Sequence, residues 1–578
     1  MAKRFDLMIN YSTKFTLKKT HYSLLIIFVS LQIFAQKQAI ETTKINIDFS
    51  KNIGEMYPFW SFFGADEPNY AYMKDGKKLL SELSTMSPVP VYFRAHNLLT
   101  SGHDTLNLKW GSTNVYTEDT NGNPIYDWTI IDKIFDTYLQ RGIKPLAQFS
   151  FMPEALSTKP QPYEHHWQPG MPYDKVYTGW TYPPKDYKKW ADLVYEWVKH
   201  SVARYGKTEV ESWYWELWNE PNIGYWSGTV EEYCKLYDYT ADAAKRALPT
   251  IKMGGPETTG PSWVKAGDYL KTFLNHCLSG TNYATGKVGS PLDFISFHAK
   301  GSPKIVNGHV QMNMGTQLRD ISEGFKIVTS FPKYKNLPII IGESDPEGCA
   351  ACGMKTNPQN AYRNGTMYSS YTAASFARKY ALADYFKANL LGAVSWSFEF
   401  ENQPYFYGFR DLATNGIDKP VLNVFRMFGM MSGKRVEVKG NQNYNFTMVR
   451  DSSVRGKKAD IDALASKDAR SAAVMLWHYH DDDIMTENAN IEVHLKGFTA
   501  KQVNFHHYRI DNENSNSYEV WKKMGSPENP TNEQITILEK AGQLTLLTSP
   551  SYVKTINGEL KLNVSLPRQG VSLLKFDW

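Results

Sequence analysis

A chain of 578 residues is too long for a single hydrophobic core, so its length predicts two or three domains. Apolar residues make up 42% of the chain and charged residues 21%, a composition typical of a folded globular protein rather than a disordered one. The formal net charge of +5 is small for this length, so it gives no reason to expect nucleic acid or a membrane surface as a partner.

The first 36 residues are typical of an export signal. Lys18 and Lys19 precede an apolar run at 24–35, which is shorter than the roughly 20 residues that a bilayer span needs. A basic region, a short apolar stretch and the small residue Ala35 predict a secretory signal over 1–36, and hence a periplasmic or secreted protein. An uncleaved membrane anchor is the alternative, and Met8 is a possible start in place of Met1.

The next segments alternate between strand and helix patterns. Residues 44–50 alternate apolar and polar side chains, as in a half-buried strand. A short strand at 90–93 then leads to His96, which is either a structural histidine or a substrate contact at a strand end. Helical spacing predicts helices at 128–141 and 185–205, and the irregular loop between them is rich in aromatic residues, as binding loops are.

The stretch WYWELWNEPN at 213–222 has an apolar run that stops at Asn219 and Glu220. Pro221 disfavours helix in the residue before it and has no N–H for a sheet ladder, so a buried parallel strand is predicted to end at Glu220. In barrels of alternating strands and helices, catalytic groups lie at such carboxyl ends. Taken alone, the pair is equally well explained by two solvated polar residues at a strand end.

A second strand end of this kind occurs at 337–348, LPIIIGESDPEG. Its short apolar run predicts a strand buried on both faces that ends at Gly342 and Glu343. The interval from Glu220 leaves room for about three strand–helix units of roughly 40 residues each. Two glutamates at two barrel strand ends predict a glycosidase, because one carboxyl must protonate the leaving oxygen and the other must stay ionised at the anomeric carbon.

Between these two strand ends, SPLDFISFHAKG at 290–301 predicts another strand, which ends at His298 and Lys300. A lysine at a strand mouth suits an anionic group of the substrate, since an ammonium gains a charge-assisted bond in a partly dry cleft. The alternative is a lysine whose head simply reaches water. His298 is a candidate substrate contact at the same strand end.

The run at 390–409 predicts an eighth strand followed by an aromatic loop, in which Glu401 and Arg410 are candidate substrate contacts. From about 433 the chain changes to short alternating runs separated by turn residues, which predicts an all-β sandwich up to 578.

The spacing CAAC at 349–352 lies just after Glu343. It is compatible with a metal half-site, a redox pair, a local disulfide that shapes an active-site loop, or two plain buried thiols. A disulfide would require an oxidising compartment, which the export prediction supplies.

These motifs resemble glycoside hydrolase family 39, the family of β-xylosidases and α-L-iduronidases. The resemblance rests on WNEPN at 218–222 and GESDP at 342–346, which are similar to the acid/base and nucleophile motifs. FRAHNLL at 93–99 and DFISFHAKG at 293–301 match two further active-site segments, and YRIDNENSNSYEVWKKMGSPENPT at 508–531 looks like the accessory domain.

The resemblance implies a fold and a set of roles. The fold is a (β/α)8 TIM barrel over 37–432 with a β-sandwich accessory domain over 433–578, which the strand near 44–50 joins. Glu220 becomes the acid/base and Glu343 the nucleophile of a retaining hydrolase. His96 and Asn219 become substrate-binding residues, with Asn219 on the 2-hydroxyl of the sugar. This chemistry needs no metal or organic cofactor.

Three functions follow from this reading. The first is an exo-acting β-xylosidase on xylose-containing oligo- or polysaccharides. The second is an α-L-iduronidase-like hydrolase of uronic acids in which Lys300 holds the substrate carboxylate, since the iduronidase branch of the family has a lysine at that position. The third is a carbohydrate-binding protein without catalysis, against which the intact pair of Glu220 and Glu343 argues. The oligomeric state is left open.

Overall fold

The computed structural model describes residues 42–102, 111–163, 179–355 and 357–578. The predicted signal at 1–36 and the middle of the aromatic loop, 164–178, lie outside the described residues. In the described part of the chain, no helix is both long and apolar enough to cross a bilayer.

The strands of the described residues run in chain order. They are β1 (Thr43–Glu55), β2 (Phe62–Ala65), β3 (Val91–Ala95), β4 (Tyr116–Glu118), β5 (Pro124–Tyr126), β6 (Ile143–Phe149), β7 (Tyr214–Leu217), β8 (Lys252–Thr258), β9 (Phe294–Phe297), β10 (Lys304–Val306), β11 (His309–Gln311), β12 (Ile339–Ile341), β13 (Leu390–Ala393), β14 (Ala413–Thr414), β15 (Ile417–Asp418), β16 (Lys434–Gly440), β17 (Asp460–Lys467), β18 (Ser471–Tyr479), β19 (Ala489–Lys496), β20 (Gln502–Ile510), β21 (Thr545–Lys554), β22 (Glu559–Leu566) and β23 (Val571–Asp577).

The helices follow the same order. They are α1 (Lys74–Met86), α2 (Thr129–Gln140), α3 (Tyr187–Tyr205), α4 (Lys207–Glu211), α5 (Val230–Ala247), α6 (Val264–Ser279), α7 (Met314–Thr329), α8 (Thr366–Phe386), α9 (Pro420–Gly429), α10 (Phe446–Ser452), α11 (Ser517–Lys523) and α12 (Asn532–Gly542). The helix expected at 185–205 begins two residues later, because the Asp186 side chain accepts from the backbone N–H groups of Lys188 and Lys189 and so caps it.

Eight parallel strands form the barrel, in the order β13-β12-β9-β8-β7-β6-β3-β2. The first and last strands meet where Ser395 bonds to Phe62 and Gly64 through backbone groups at 2.9 and 3.1 Å, which closes the sheet. The interior is packed with apolar side chains that include Phe62, Phe294 and Ile340. The TIM barrel expected from the sequence is therefore confirmed.

The carboxyl-terminal strands form a second, nine-stranded sheet in the order β21-β20-β23-β18-β17-β16-β1-β19-β22. One buried apolar cluster contains side chains from strands near opposite ends of this order, such as Phe576 in β23 and Val564 in β22. The sheet therefore folds over its own core. The accessory all-β fold is confirmed. The strand β1 pairs in parallel with β19 and antiparallel with β16, so the chain enters this sheet before it enters the barrel.

Candidate active site

The predicted catalytic residues meet at the carboxyl ends of the barrel strands. Asn219 and Glu220 follow β7, the fourth barrel strand, and Glu343 follows β12, the seventh. Together with Lys300 after β9 and Arg410, they line one cavity of about 280 Å³. The structure thus gathers side chains from distant parts of the sequence into one cleft, as the strand-end argument predicts.

The two glutamates face each other across this cavity. A carboxylate oxygen of Glu220 lies within 4.8 Å of one of Glu343, and His298 reaches both. The Lys300 ammonium bridges them, at 3.1 Å from Glu220 Oε1 and 2.6 Å from Glu343 Oε2. Retaining glycosidases hold their carboxyl groups about 5–5.5 Å apart, whereas inverting enzymes keep a wider gap for a water molecule. The arrangement fits the retaining geometry.

The charges around the pair favour ionised carboxylates. Burial raises the pKa of the Glu343 carboxyl, but Lys300, His298 and Arg94 outweigh burial and hold that pKa well below its usual range. The pKa of Glu220 is lowered in the same way, since Lys300 and His298 oppose burial. Both carboxyls are therefore held in the ionised form, so a proton on Glu220 requires a lower pH or a weaker contact with Lys300.

His96 lies beside the nucleophile. Its Nδ1 is 2.8 Å from the Gln148 amide oxygen, and its Nε2 is 3.5 Å from Glu343 Oε1 and 3.3 Å from Asp66 Oδ1. Burial lowers the pKa of this imidazole, so neutral His96 donates through only one of its two nitrogens. Asp66, at the end of β2, lines the cavity, and this carboxylate was not singled out from the sequence.

Beneath the cavity, Arg94 joins three carboxylates. Its guanidinium contacts Glu216, Glu257 and Glu343 and also donates to the Asn219 amide oxygen at 3.2 Å. The arginine is fully buried, so its charge must be compensated by these partners. Arg94 thereby fixes the side chains of the predicted nucleophile and of the predicted 2-hydroxyl ligand.

One wall of the cavity is the loop after Glu343. Residues 348–351 line the cavity, and Cys349 and Cys352 form a disulfide within this loop. Arg363 donates to the carbonyl oxygens of Gly348 and Cys349, and Arg410 donates to that of Glu347. Of the alternatives open for the CAAC motif, the structure shows the local disulfide. The wall has no regular secondary structure, so these bonds determine its shape.

Aromatic rings complete the cavity. Trp396, Tyr225 and Tyr163 line it, and the Trp396 ring lies 4.4 Å from the His96 ring, centroid to centroid. The Trp396 indole N–H donates to Asp66 Oδ1 at 3.2 Å. Sugars present flat C–H faces to such rings while their hydroxyls bond to the polar groups alongside, so the mixture suits a pyranose ring.

Three predicted substrate contacts do not line this cavity: His96 and His298, which contact Glu343 and Glu220 instead, and Glu401. The Glu401 carboxylate accepts the backbone N–H groups of Asp75 and Gly76 at 3.0 and 3.4 Å, in the first turn of α1. A carboxylate at a helix amino terminus satisfies otherwise unpaired N–H groups and the positive end of the helix dipole. Glu401 is therefore a helix cap.

Among the residues that the structure describes, two sets of side chains have metal-ligand spacing. They are Asp66, His96 and Glu343, and Glu220, His298 and Glu343. Both sets share Glu343, whose carboxylate is already bonded to the Lys300 ammonium at 2.6 Å. A divalent cation at this position would be repelled by the ammonium, so the donor set does not suit a metal ion.

A closed (β/α)8 barrel with two closely opposed glutamates at the carboxyl ends of its strands has the geometry of a retaining glycoside hydrolase. The sequence matches the profile of glycosyl hydrolases family 39 over residues 43–554, so the chain belongs to that family. The retaining mechanism is known for the family. The resemblance drawn from the motifs is confirmed.

Relatives from both branches of the family match the chain. A "Beta-xylosidase" of Caldicellulosiruptor saccharolyticus is 28% identical over 87% of this chain and 92% of its own length. An "Alpha-L-iduronidase" of Mus musculus is 25% identical over 60% of this chain and 55% of its own. The crystal structure of "a monomeric beta-xylosidase from Caulobacter crescentus CB15" superposes with a TM-score of 0.72 at 21% identity, over 92% of this chain and 99% of that one.

Proposed function

We propose that this glycoside hydrolase is an exo-acting β-xylosidase that removes terminal xylose from oligo- or polysaccharides, with Glu343 as the nucleophile and Glu220 as the acid/base. The observation that carries the catalytic assignment is the approach of the Glu220 and Glu343 oxygens to within 4.8 Å at the end of the barrel. The xylose assignment is supported by the β-xylosidase relative, which is matched over almost its whole length.

The geometry supports a double displacement. Glu343 attacks the anomeric carbon while protonated Glu220 gives its proton to the departing oxygen, which leaves a glycosyl ester on Glu343. Glu220 then takes a proton from water as the water oxygen bonds to the anomeric carbon and Glu343 is released. Asn219, fixed by Arg94 at 3.2 Å, is placed to bond the 2-hydroxyl as the ring flattens.

The size of the cavity favours action at a chain end. Its volume of about 280 Å³ lies just below the usual range of ligand pockets, roughly 300 to 1,000 Å³. Such a cavity accommodates one sugar ring and part of its neighbour, whereas an internal cut requires an open groove on both sides of the scissile bond. The loop wall at 348–351 contributes to this enclosure.

A second candidate, a uronic acid hydrolase of the α-L-iduronidase type, is favoured by the cations in the cavity. Lys300 and Arg410 line it beside the carboxylates of Asp66, Glu220 and Glu343, and either cation could pair with a carboxylate of the substrate. A substrate carboxylate could pair with the Lys300 ammonium, which would weaken the contact of Lys300 with Glu220 and restore the proton affinity of that acid. In this candidate, binding of the substrate carboxylate to Lys300 is what allows Glu220 to hold the proton that it donates.

Paired assays separate the two candidates. Release of 4-nitrophenol from its β-D-xyloside and of the fluorophore from 4-methylumbelliferyl α-L-iduronide is measured with the wild type, Glu343→Ala and Lys300→Met. Xyloside turnover that is lost with Glu343→Ala but retained with Lys300→Met supports the xylosidase. Iduronide turnover lost in both variants moves the assignment to uronic acids. Full activity of Glu343→Ala refutes the catalytic assignment.

We also propose that the enzyme is exported to the periplasm or the medium. The basic and apolar pattern of residues 1–36 supports this, and the Cys349–Cys352 disulfide suits an oxidising compartment. The test is amino-terminal sequencing of the protein recovered from fractionated cells of a bacterial host. A chain beginning near Gln36 in the periplasmic fraction supports export, and a full-length chain in the cytoplasm contradicts it.

A further inference from the structure

Two donors converge on the same oxygen of Glu220. His298 Nδ1 lies 2.9 Å and Lys300 Nζ 3.1 Å from Glu220 Oε1, and no such contact of either group with Oε2 occurs in the described residues. A carboxyl oxygen has two lone pairs, so an oxygen that accepts two donors has none left for an acidic proton. The proton that Glu220 donates to the leaving oxygen must therefore be carried on Oε2.

The imidazole of His298 is held from behind by Glu257. The His298 Nε2 lies 2.8 Å from Glu257 Oε2, and both side chains are fully buried. Glu257 does not line the cavity, so it acts through other groups rather than on the substrate. Its backbone oxygen also accepts the N–H of Glu220 at 2.9 Å, so one residue supports both the imidazole and the catalytic glutamate.

Gly342 has no side chain, which leaves room for the Glu257 carboxylate. A Cβ atom at Gly342 would lie 1.8 Å from Glu257 Oε2, so any side chain at that position would displace the carboxylate. Arg94 Nη2 lies 3.3 Å from the same oxygen. The carboxylate of Glu257 therefore has a single position, behind His298.

His298 stands between two carboxylates, one at each ring nitrogen, and only an imidazolium donates from both nitrogens. Burial lowers the pKa of His298, but Glu343, Glu220 and Glu257 outweigh burial and raise it. The charged groups that face this cluster from the neighbouring strands are Arg94, Glu216 and Lys300. A neutral histidine could keep its proton on the nitrogen that faces Glu257 and leave Nδ1 without one.

We propose that Glu257 is a positioning residue of the hydrolysis, which keeps His298 doubly protonated so that its Nδ1–H occupies Oε1 of Glu220 and leaves Oε2 to carry the catalytic proton. The inference rests on the proposed acid/base role of Glu220. In the first step the proton leaves Oε2 for the departing oxygen as the glycosidic C–O bond breaks and Glu343 bonds to the anomeric carbon. In the second step Oε2 takes a proton from the attacking water as the bond to Glu343 breaks.

Replacement of Glu257 by glutamine tests this role. The amide oxygen of Glu257→Gln accepts from His298 Nε2–H, and the imidazole is then neutral. Its unprotonated Nδ1 accepts a hydrogen bond from Glu220, so the proton of Glu220 lies on Oε1. The expected result is a fall in kcat/KM of about 100-fold for phenyl glycosides, which need an acid, and of less than about threefold for 2,4-dinitrophenyl glycosides, which do not. Aryl β-D-xylosides are the probes, or aryl α-L-iduronides if the wild type cleaves those.

Matched variants separate this role from a structural one and from the role of Glu220. Glu220→Gln should show the same leaving-group dependence, and adding Glu257→Gln to it should not make the dependence steeper. Glu257→Asp keeps the charge and should restore part of the phenyl glycoside activity. If Glu257→Gln loses the same fraction of activity with every leaving group, the proposal is overturned. If the loss of activity in Glu220→Gln does not depend on the leaving group, the acid/base assignment is overturned instead. If Glu257→Gln does not fold, Gly342→Ala, which displaces the same carboxylate, is assayed on the same aryl glycosides instead.

Discussion

A buried lysine outside the active site offers a quantitative test of the barrel's energetics. Lys379 lies in α8 and is fully buried, with its ammonium 3.5 Å from Ser375 Oγ and 3.7 Å from the ring centroid of Phe376. Within the described residues, no carboxylate lies within ion-pair distance of it. Burial lowers the pKa of Lys379 to about 7, against a partial opposing effect of Asp345.

The pKa shift of Lys379 determines how much this lysine lowers the free energy of unfolding and how that loss depends on pH. The pKa of Lys379 falls from 10.5 to about 7 on folding, and each pKa unit corresponds to about 1.4 kcal/mol. Since the unfolded chain binds more protons between these values, the stability of the wild type rises with pH through that window. Lys379→Met should therefore raise the free energy of unfolding by up to about 5 kcal/mol near pH 6 and by only about 1.4 kcal/mol near pH 9.5.

Urea unfolding followed by tryptophan fluorescence near pH 6 and near pH 9.5 measures both values. Lys188→Met, at an exposed lysine of α3, is the matched control and should change the stability by less than about 0.5 kcal/mol. An unchanged stability of Lys379→Met, or an equal gain at both pH values, would refute the reasoning, because neither outcome is compatible with a lysine that folding deprotonates.

Further predictions concern the active site. Lys300→Met removes the ammonium that lowers the pKa of Glu220, so the basic limb of the kcat/KM pH profile should move to higher pH, while an unmoved limb would show that Lys300 does not control the acid. Reduction of the Cys349–Cys352 disulfide with a phosphine should loosen the cavity wall and raise KM several-fold with little change in kcat, and a loss of kcat alone would contradict this. Glu401→Gln should lower the melting temperature and leave KM unchanged, since its carboxylate caps α1; a raised KM would return it to the substrate site.

The catalytic strand ends were predictable because local chemistry marks them. An apolar run followed by Asn219, Glu220 and a proline predicts a buried strand that stops there, and β7 ends at Leu217, just before this motif. A short apolar run also precedes Glu343. Parallel strands in a closed barrel bring such ends to one rim, so the meeting of the two glutamates followed from the fold class.

Other parts of the site depend on contacts that no local pattern encodes. Asp66 and Glu257 are single acidic residues at strand ends, and only the closed barrel shows that one lines the cavity and the other supports His298. Glu401 was predicted from an aromatic loop after the eighth strand, and its side chain turns to a helix. The direction in which a loop side chain points is decided by tertiary packing, so the sequence alone does not place this side chain.

The most direct test of the catalytic account is to trap the glycosyl-enzyme. A 2-fluoro substituent destabilises the oxocarbenium-like transition states, so a 2-deoxy-2-fluoro-xylosyl fluoride, or the corresponding uronyl fluoride, should inactivate the enzyme while it accumulates as an ester. Peptide mass spectrometry of the inactivated protein is predicted to place one sugar on Glu343. A label on a different carboxylate, or continued turnover of the fluoride with no covalent adduct, would contradict the account.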